Sequence, residues 1–217
     1  MLSAVIFDLD GVIIDSERLV DSANESFLKS HGCTYRRDLF KPRAMGKTLM
    51  EGTKIMQEVF GLEGSAEKLL EERRELITRM YREKVEFMPG FVPFYDEVVR
   101  RGLQSAVATS TDSILLGIVQ QKLGLGGMFP GRIFTIAAVG NRSKPDPAVY
   151  VYTAAQMGLS PAECLVIEDA PLGIEAAKRA GAKCVAVTAT LGPEHLSAAD
   201  VVVNSFSEID LDTWTSC

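Results

Sequence analysis

The sequence predicts an α/β protein with a doubly wound parallel sheet and a helical domain inserted after its first strand. Apolar runs of strand length alternate with helical patterns from about residue 105 onward. A further apolar run at residues 4–7 fits the same sheet, but a long segment without strand signals separates it from the others. We therefore expect a catalytic core of residues 1–14 and 88–217 and a helical cap domain of residues 15–87.

The spacing of apolar side chains predicts the individual elements. In the inserted domain we expect three or four helices, with those near residues 17–30, 48–60 and 66–84 placed and the charged residues 71–74 on a solvated face. In the core, a second strand ends in a run of hydroxyl residues at 109–111, and a helical pattern follows it. The remaining core predictions are strands at 133–136, 165–167, 184–187 and 201–203, and helices at 147–157 and 172–180.

Composition limits the partners of the chain. Its 217 residues are 47% hydrophobic, which is ample for a packed core, and its net charge is −6. A negative charge disfavours nucleic acid and anionic membranes, and no apolar run approaches the roughly 20 residues of a membrane span. The first residues lack the pattern of a signal peptide. We expect a monomer that acts on a small molecule.

The cysteines and histidines carry no recognisable site. The cysteines are scattered without a CxxC pair, so we expect reduced thiols, no disulfide framework and a cytoplasmic location. Neither histidine falls in a motif, and we assign neither a catalytic role. These residues are Cys33, Cys164, Cys184, Cys217, His31 and His195.

Two acids directly follow the first strand. Asp8 and Asp10 lie in the run DLDGV, immediately after the apolar residues 4–7. Open α/β sheets hold ligands at the carboxyl ends of their strands, and unpaired buried carboxylates cost several kcal/mol. A divalent cation is a suitable partner for two hard oxygen donors, and Mg²⁺ commonly serves phosphate chemistry. A capped or solvated strand end is the alternative interpretation.

Three later motifs extend this pattern. The second strand ends in Thr109 and Ser110, and Lys144 lies in the proline-stiffened turn SKPDP. A third apolar strand ends in the adjacent acids Glu168 and Asp169. Each motif alone is ordinary, since Thr111 or Asp169 could simply cap the helix that follows it. Their common order is what points to a site.

The four motifs DLDGV, VATST, SKPDP and VIEDAPLGIEAA resemble, in order and spacing, those of the haloacid dehalogenase-like (HAD) superfamily of phosphatases. The resemblance covers essentially the whole chain. It is strongest to the branch with a small helical cap, which includes β-phosphoglucomutase-like proteins, sugar-phosphate phosphatases and pseudouridine-5'-phosphatase. It implies a Rossmann-like core, a Mg²⁺ cofactor and a small phosphate ester as substrate.

The residues fit the chemistry of that family. At its strand end, Asp8 is placed as a nucleophile that forms an aspartyl phosphate, and Asp10 as the general acid and base. Thr109 and the amide of Ser110 suit a phosphoryl oxygen, and Lys144 supplies positive charge.

The metal ligands are assigned partly by the resemblance. It implies that Asp8 and the backbone carbonyl of Asp10 bind the metal, and that the bond after Lys144 is often cis. Asp169 is the expected side-chain ligand. Glu168 has three open roles: it ligates the metal directly, ligates it through water, or orients Lys144.

Cap residues are expected to decide the substrate. Glu17 lies where the first connection meets the site, although an acid at a helix N-terminus is the simpler interpretation. Lys47, in a glycine-centred turn, could reach the substrate when the cap closes. Val20 stands where β-phosphoglucomutase carries a histidine, and Arg43 is not clearly at the position of its phosphate-binding arginine. These departures favour a phosphatase over the alternative, a phosphosugar mutase.

Two other activities are less compatible with the chain. Relatives that displace halide lack the second aspartate, so Asp10 disfavours dehalogenation. A non-catalytic phospho-receiver domain would need neither a cap nor a general acid. The sequence therefore predicts a Mg²⁺-dependent phosphatase of small phosphate monoesters.

Overall fold

The computed structural model describes residues 2–44 and 48–215, and the chain divides into two compact units. One unit comprises Met1–Asp15 and Glu86–Cys217, and the other comprises Ser16–Val85. The sequence placed these boundaries one or two residues away, at 14/15 and 87/88. Among the described residues, no helix combines the length and apolar character needed to cross a bilayer.

Within the described residues, the first unit contains a six-stranded parallel sheet. Its strands are β1 Ala4–Phe7, β2 Gln104–Thr109, β3 Ile133–Thr135, β4 Cys164–Glu168, β5 Lys183–Val187 and β6 Val201–Val203. They lie in the order β3-β2-β1-β4-β5-β6, which reverses at β1, with β2 on one side and β4 on the other. Helices lie between most of the strands along the chain, so the predicted α/β class is confirmed.

The central strands are buried because apolar residues fill both of their faces. β1 is fully buried, as expected for a parallel strand covered on two sides. On one side of the sheet, Phe7 makes edge-to-face contacts with Phe91, Phe94 and Phe129, with ring centroids 5.4–6.1 Å apart. This packing fixes β1 and therefore the position of the residues that follow it.

The second unit is helical in its described part. Its helices are α1 Ser16–Ser30, α2 Arg37–Ala44, α3 Leu49–Phe60 and α4 Ala66–Lys84. Three of them match the predicted positions to within about one residue; α2 was not placed, because Pro42 inside it is a poor helix former. Thr48 is the N-cap residue of α3 and forms a capping box with Glu51.

The predicted solvated face at residues 71–74 is wrong for one residue. Arg73 is buried, with its guanidinium bonded to Asn24 Oδ1 at 2.8 Å and to Thr53 Oγ1 at 3.2 Å. The same guanidinium lies 5.4 Å from the ring centroid of Phe40. Burial lowers the pKa of Arg73 to about 10. This arginine therefore stabilises the interior of the helical unit and is unavailable to solvent.

The helices in the described part of the first unit include three that the sequence did not predict. The helices are α5 Phe91–Arg100, α6 Ser113–Leu123, α7 Leu125–Met128, α8 Ala148–Gln156, α9 Pro171–Ala180 and α10 Asp212–Thr215. α5, which begins after the αL residue Gly90, and the short helices α7 and α10 lie in segments where we predicted no element. Strand β3 is also one residue shorter than the predicted strand at 133–136, because a 3₁₀ turn begins at Ile136.

Candidate active site

Asp8 lies at the centre of the carboxyl edge of the sheet. Its amide donates to the carbonyl of Ile167 on β4 at 3.0 Å, so it continues the register of β1 for one residue beyond the strand. β1 is the strand at which the order of the sheet reverses, and ligands of open α/β sheets bind at such a position. Asp8 is buried, whereas Asp10 is partly exposed.

A tight turn follows Asp8 and carries Asp10. The amides of Ile13 and Ile14 both donate to the carbonyl of Leu9, and Gly11 has a φ of +75°. A Cβ at Gly11 would lie 2.0 Å from Asp169 Oδ2, so a side chain there would collide with a predicted metal ligand. The glycine of DLDGV is required both by its left-handed backbone and by the close approach of Asp169.

Lys144 is the cation of the site. Its Nζ lies 2.5 Å from Asp8 Oδ1 and 2.6 Å from Glu168 Oε1, and its side chain is 11% exposed. The peptide bond that follows it, to Pro145, is cis. Burial acts to lower the pKa of Lys144, but the carboxylates of Asp8 and Glu168 outweigh burial and hold that pKa above its ordinary value. The lysine therefore stays charged between the two acids.

Burial dominates the electrostatics of Asp8. It raises the pKa of Asp8 to about 7, because Glu168 and Asp10 add to its effect and the charge of Lys144 only partly opposes it. Only the ionised carboxylate is a nucleophile. A further positive charge beside Lys144 would therefore favour the ionised, nucleophilic form of Asp8 at neutral pH.

Glu168 and Asp169, at the end of β4, complete an acidic cluster with Asp8. Carboxylate oxygens of the three residues lie within 4.8 Å of one another. Thr190, after β5, donates its hydroxyl to Asp169 Oδ2. Hard oxygen donors at this spacing suit a small divalent cation, so the donor set fits the magnesium that the sequence predicted.

Glu168 accepts four hydrogen bonds from the chain. Its Oε1 accepts from Lys144 and, at 2.5 Å, from the hydroxyl of Tyr150. Its Oε2 accepts from the amides of Asp169 and Ala170 at 3.1 and 3.3 Å. Since four donors of the chain already occupy its oxygens, Glu168 is better suited to orienting Lys144 than to ligating a metal directly.

A chain of hydroxyl groups leads from β2 to Asp10. Thr109 Oγ1 lies 2.7 Å from Thr111 Oγ1 and also accepts from the amide of Thr111. The hydroxyl of Thr111 in turn donates to Asp10 Oδ2. Ser110 is exposed at the same strand end. The predicted phosphate contacts of Thr109 and Ser110 stay predictions.

The two capping alternatives for site residues are wrong. The N-cap of α6 is Asp112, whose carboxylate accepts from the amides of Ile114 and Leu115, so Thr111 is left to bond Asp10. The N-cap residue of α9 is Ala170 rather than Asp169. Both helices begin one residue later than they would if Thr111 and Asp169 were their N-cap residues.

The cap residues have different outcomes. Glu17 lies in the first turn of α1, where its carboxylate pairs with Lys41 and lies 3.8 Å from Arg37. Lys47 lies outside the described residues. Both stay predictions as substrate contacts.

Sequence reasoning missed three residues that hold the site together. Thr111, Tyr150 and Thr190 each donate a hydroxyl hydrogen bond to an acid of the site. Only Thr111 left a signal, as the last member of the hydroxyl run after β2. Tyr150 resembles an ordinary core residue of a helix, and Thr190 lies in a loop without a motif.

The close packing of Glu168 against α9 makes a stability prediction. A Cβ at Gly173 would lie 1.9 Å from Glu168 Oε1, and the four hydrogen bonds of Glu168 prevent it from moving away without loss. We expect Gly173→Ala to lower the free energy of unfolding by about 1–3 kcal/mol. Urea denaturation measures this change.

Gly117 offers the matched control. It lies within α6, is exposed, and a Cβ added there would meet no atom within 4 Å. Gly117→Ala should raise the free energy of unfolding by about 0.5–1 kcal/mol, because alanine favours the helix more than glycine does. Equal stability of the two variants would mean that Glu168 is not held in place.

Known proteins resemble this chain over most of its length. The family model described as haloacid dehalogenase-like hydrolase matches residues 2–181. The "Phosphorylated carbohydrates phosphatase" of Thermotoga maritima is 32% identical over 83% of this chain and 82% of that protein. Hexitol phosphatase A of Escherichia coli is 28% identical over 94% of this chain and 91% of its own length.

A solved structure agrees in fold. The crystal structure of a HAD family hydrolase from Deinococcus radiodurans superposes with a TM-score of 0.82 and 23% identity. The match covers 98% of this chain and 95% of that one. At this identity the likeness concerns the fold alone.

The parallel sheet, the acids at its carboxyl edge and these matches define a class of α/β hydrolases. The chain belongs to the haloacid dehalogenase-like hydrolase family. The predicted family is thereby confirmed, as is the prediction of an enzyme of the phosphoric monoester hydrolase type, which the phosphatase relatives support.

Proposed function

We propose that this protein is a Mg²⁺-dependent phosphatase of small phosphorylated carbohydrates that works through an aspartyl phosphate on Asp8. The observation that carries the proposal is the position of Asp8, buried at the carboxyl edge of the sheet with Lys144 Nζ 2.5 Å from its Oδ1. A carboxylate and a phosphate dianion repel one another. The charge of Lys144, together with a cation bound at Asp8 and the two further acids, would offset this repulsion and let the Asp8 carboxylate approach phosphorus.

The proposed first step transfers the phosphoryl group to the protein. A carboxylate oxygen of Asp8 attacks phosphorus, the bond from phosphorus to the ester oxygen breaks, and Asp10 gives its proton to the leaving oxygen. Lys144 stabilises the charge of the phosphoryl oxygens. Thr111, which donates to Asp10 Oδ2, would keep the acid pointed toward the leaving group.

The proposed second step returns the enzyme to its starting state. Asp10, now a carboxylate, takes a proton from water, and the water oxygen attacks phosphorus. The bond from phosphorus to Asp8 breaks, inorganic phosphate leaves, and the Asp8 carboxylate is restored. The partial exposure of Asp10 is compatible with contact to both substrate and water.

The metal would be held by Asp8, Asp169 and the backbone carbonyl of Asp10, as the family resemblance implies. Bound Mg²⁺ supplies positive charge next to the transferring phosphoryl group. Thr190 would hold Asp169 in orientation through its bond to Oδ2. Glu168 would act through Lys144, since its oxygens already accept four hydrogen bonds.

The substrate class rests on the relatives. Those named for phosphorylated carbohydrates and for hexitol match over most of both chains, at 32% and 28% identity. Glu17 and Lys47 stay the predicted substrate contacts of the helical unit. The monomeric state and the cytoplasmic location also stay predictions.

Release of inorganic phosphate tests the function. The panel contains sugar phosphates, hexitol phosphates, nucleotides, pseudouridine 5'-phosphate, FMN and phosphoglycolate, each with Mg²⁺ and with EDTA. We expect release from a phosphorylated carbohydrate to exceed release from the other esters, and EDTA to abolish it because the phosphate charge is then left without its cation.

Three outcomes would contradict this proposal. If the folded protein releases phosphate from none of these esters, it is not a phosphatase of the ester classes tested. Interconversion of sugar phosphates that conserves phosphate and requires a bisphosphate activator would instead identify a mutase. Equal rates with Mg²⁺ and EDTA would remove the metal from the mechanism.

A further inference from the structure

Glu168 and Lys144 share a third partner that the proposed chemistry does not use. Tyr150, on α8, is fully buried, and its hydroxyl donates to Glu168 Oε1 at 2.5 Å. The face of its ring lies under the ammonium of Lys144, with Nζ 4.9 Å from the ring centroid. One tyrosine therefore contacts both members of the ion pair that holds Asp8.

Each contact constrains Lys144 in a different way. A cation over an aromatic face is attracted to it, so the ring favours one position of the ammonium. The hydroxyl shares Glu168 Oε1 with Lys144 and neutralises part of the charge on that oxygen. Because Oε1 then attracts the ammonium less strongly, Nζ is shared almost equally between Glu168 at 2.6 Å and Asp8 at 2.5 Å.

The tyrosine is a hydrogen-bond donor throughout the physiological pH range. Burial, followed by the nearby Glu168 carboxylate, raises the pKa of Tyr150 well above its ordinary value. The phenol proton therefore remains on Tyr150 and points at Glu168. Each oxygen of Glu168 therefore keeps two donors: Lys144 and Tyr150 on Oε1, and the amides of Asp169 and Ala170 on Oε2.

We propose that Tyr150 is a positioning residue for Lys144: it keeps the ammonium beside Asp8, where it meets the phosphoryl oxygens of the bound ester. This proposal rests on the function proposed above. Loss of the hydroxyl strengthens the pull of Glu168 on Lys144 and moves the ammonium away from Asp8. The predicted consequence is weaker binding of a phosphate anion and slower phosphoryl transfer.

The test uses Tyr150→Phe, which keeps the ring and removes only the hydroxyl. Inorganic phosphate is the probe, and its affinity for the Mg²⁺-loaded protein is measured by calorimetry, together with kcat and KM for the best ester of the panel. We expect Tyr150→Phe to weaken phosphate binding roughly tenfold and to lower kcat by a similar factor. The ring that packs in the core is retained, so we expect the variant to fold.

Tyr152 supplies the matched control. It lies on the same helix, is only half-buried, and its ring packs edge-on against Phe134. Tyr152→Phe should leave phosphate affinity and kcat at wild-type values. The melting temperature of both variants is recorded, because a purely structural role of Tyr150 would change stability and leave phosphate affinity unaltered.

A double-mutant cycle with Glu168→Gln identifies the route of the effect. If Tyr150 acts through Glu168, Tyr150→Phe should have a much smaller effect on phosphate affinity in the Glu168→Gln background. Equal effects in both backgrounds would overturn the proposal, as would wild-type phosphate affinity and kcat in Tyr150→Phe.

Failure of the proposed function gives a different result. In that case the wild-type protein hydrolyses no ester, while calorimetry with phosphate still compares the variants. Tenfold weaker phosphate binding in Tyr150→Phe would then support the positioning role in a protein of another activity. Unchanged binding would overturn it regardless of turnover.

Discussion

Asp8→Asn is expected to lower the rate of phosphate release by at least about 10³-fold, because the amide cannot form the phosphoryl intermediate. Asparagine has nearly the same shape as aspartate. Burial raises the pKa of Asp8 to about 7, so the charged carboxylate is costly to bury and the neutral amide should be tolerated. We therefore expect the variant to fold, and its loss of activity to be chemical in origin.

Two measurements check this result. Initial rates with the best ester give the loss of turnover, and intact mass after acid quenching shows whether the protein carries one phosphoryl group. The wild-type protein should show the added mass and Asp8→Asn should not. Circular dichroism and the melting temperature establish that the variant is folded.

An exposed aspartate is the control. Asp38, in the helical unit, pairs with Arg36 on the surface, and the two side chains are 61% and 59% exposed. Asp38→Asn should retain the wild-type rate. An Asp8→Asn protein that works within about tenfold of wild type, a loss far below that expected for a missing nucleophile, would reject Asp8 in that role.

Lys144→Met is expected to damage both stability and turnover. It leaves the carboxylates of Asp8 and Glu168 buried without their shared cation. Breaking a buried ion pair by removing one partner typically costs about 3–5 kcal/mol, and we expect a loss of this order in the free energy of unfolding without metal. Turnover should fall at least about 10²-fold, because charge on the phosphoryl oxygens loses its stabilising cation.

The measurement is urea denaturation in EDTA and again with Mg²⁺. A cation at the acidic cluster would replace part of the lost charge, so Mg²⁺ should recover more stability in Lys144→Met than in wild type. Adding Glu168→Gln to Lys144→Met should also restore part of the stability, since one of the two uncompensated charges is then removed.

Lys178 provides a matched control for the lysine. It pairs with Asp200 at 2.6 Å, but its side chain is 37% exposed, so solvent screens the pair. Lys178→Met should cost less than about 1 kcal/mol and leave turnover unchanged. If Lys144→Met is no less stable than Lys178→Met, the buried ion pair does not stabilise the core as described.

The strand ends explain why much of the fold and of the candidate site was predictable. Asp8, Asp10, Lys144, Glu168 and Asp169 were proposed as site residues because each follows an apolar strand or lies in a proline-stiffened turn. Parallel strands bring their carboxyl ends to one edge, so residues far apart in the chain were expected to meet there. The structure places Lys144 between Asp8 and Glu168 at that edge.

The sequence did not predict α2 or α5, and the reasons differ. α2 contains Pro42, whereas α5 lies in a segment where we predicted no element, although Phe91, Phe94 and Val98 recur there at helical spacing. Arg73 was assigned to a solvated face because charged residues surround it on both sides. Its burial depends on Asn24 and Thr53, which lie on other helices, and no local pattern reveals such partners.

The sequence by itself determined the fold class, the order of the main strands along the chain, the family and the acids at the edge of the sheet, because these depend on local apolar patterns and on short motifs. Only the tertiary structure decided how those acids are held: Thr111 on Asp10, Tyr150 on Glu168 and Thr190 on Asp169. Each of these pairs joins residues that lie on separate elements or in the loops after them. Such hydrogen bonds form only when packing brings those elements together, so residue type and spacing do not predict them.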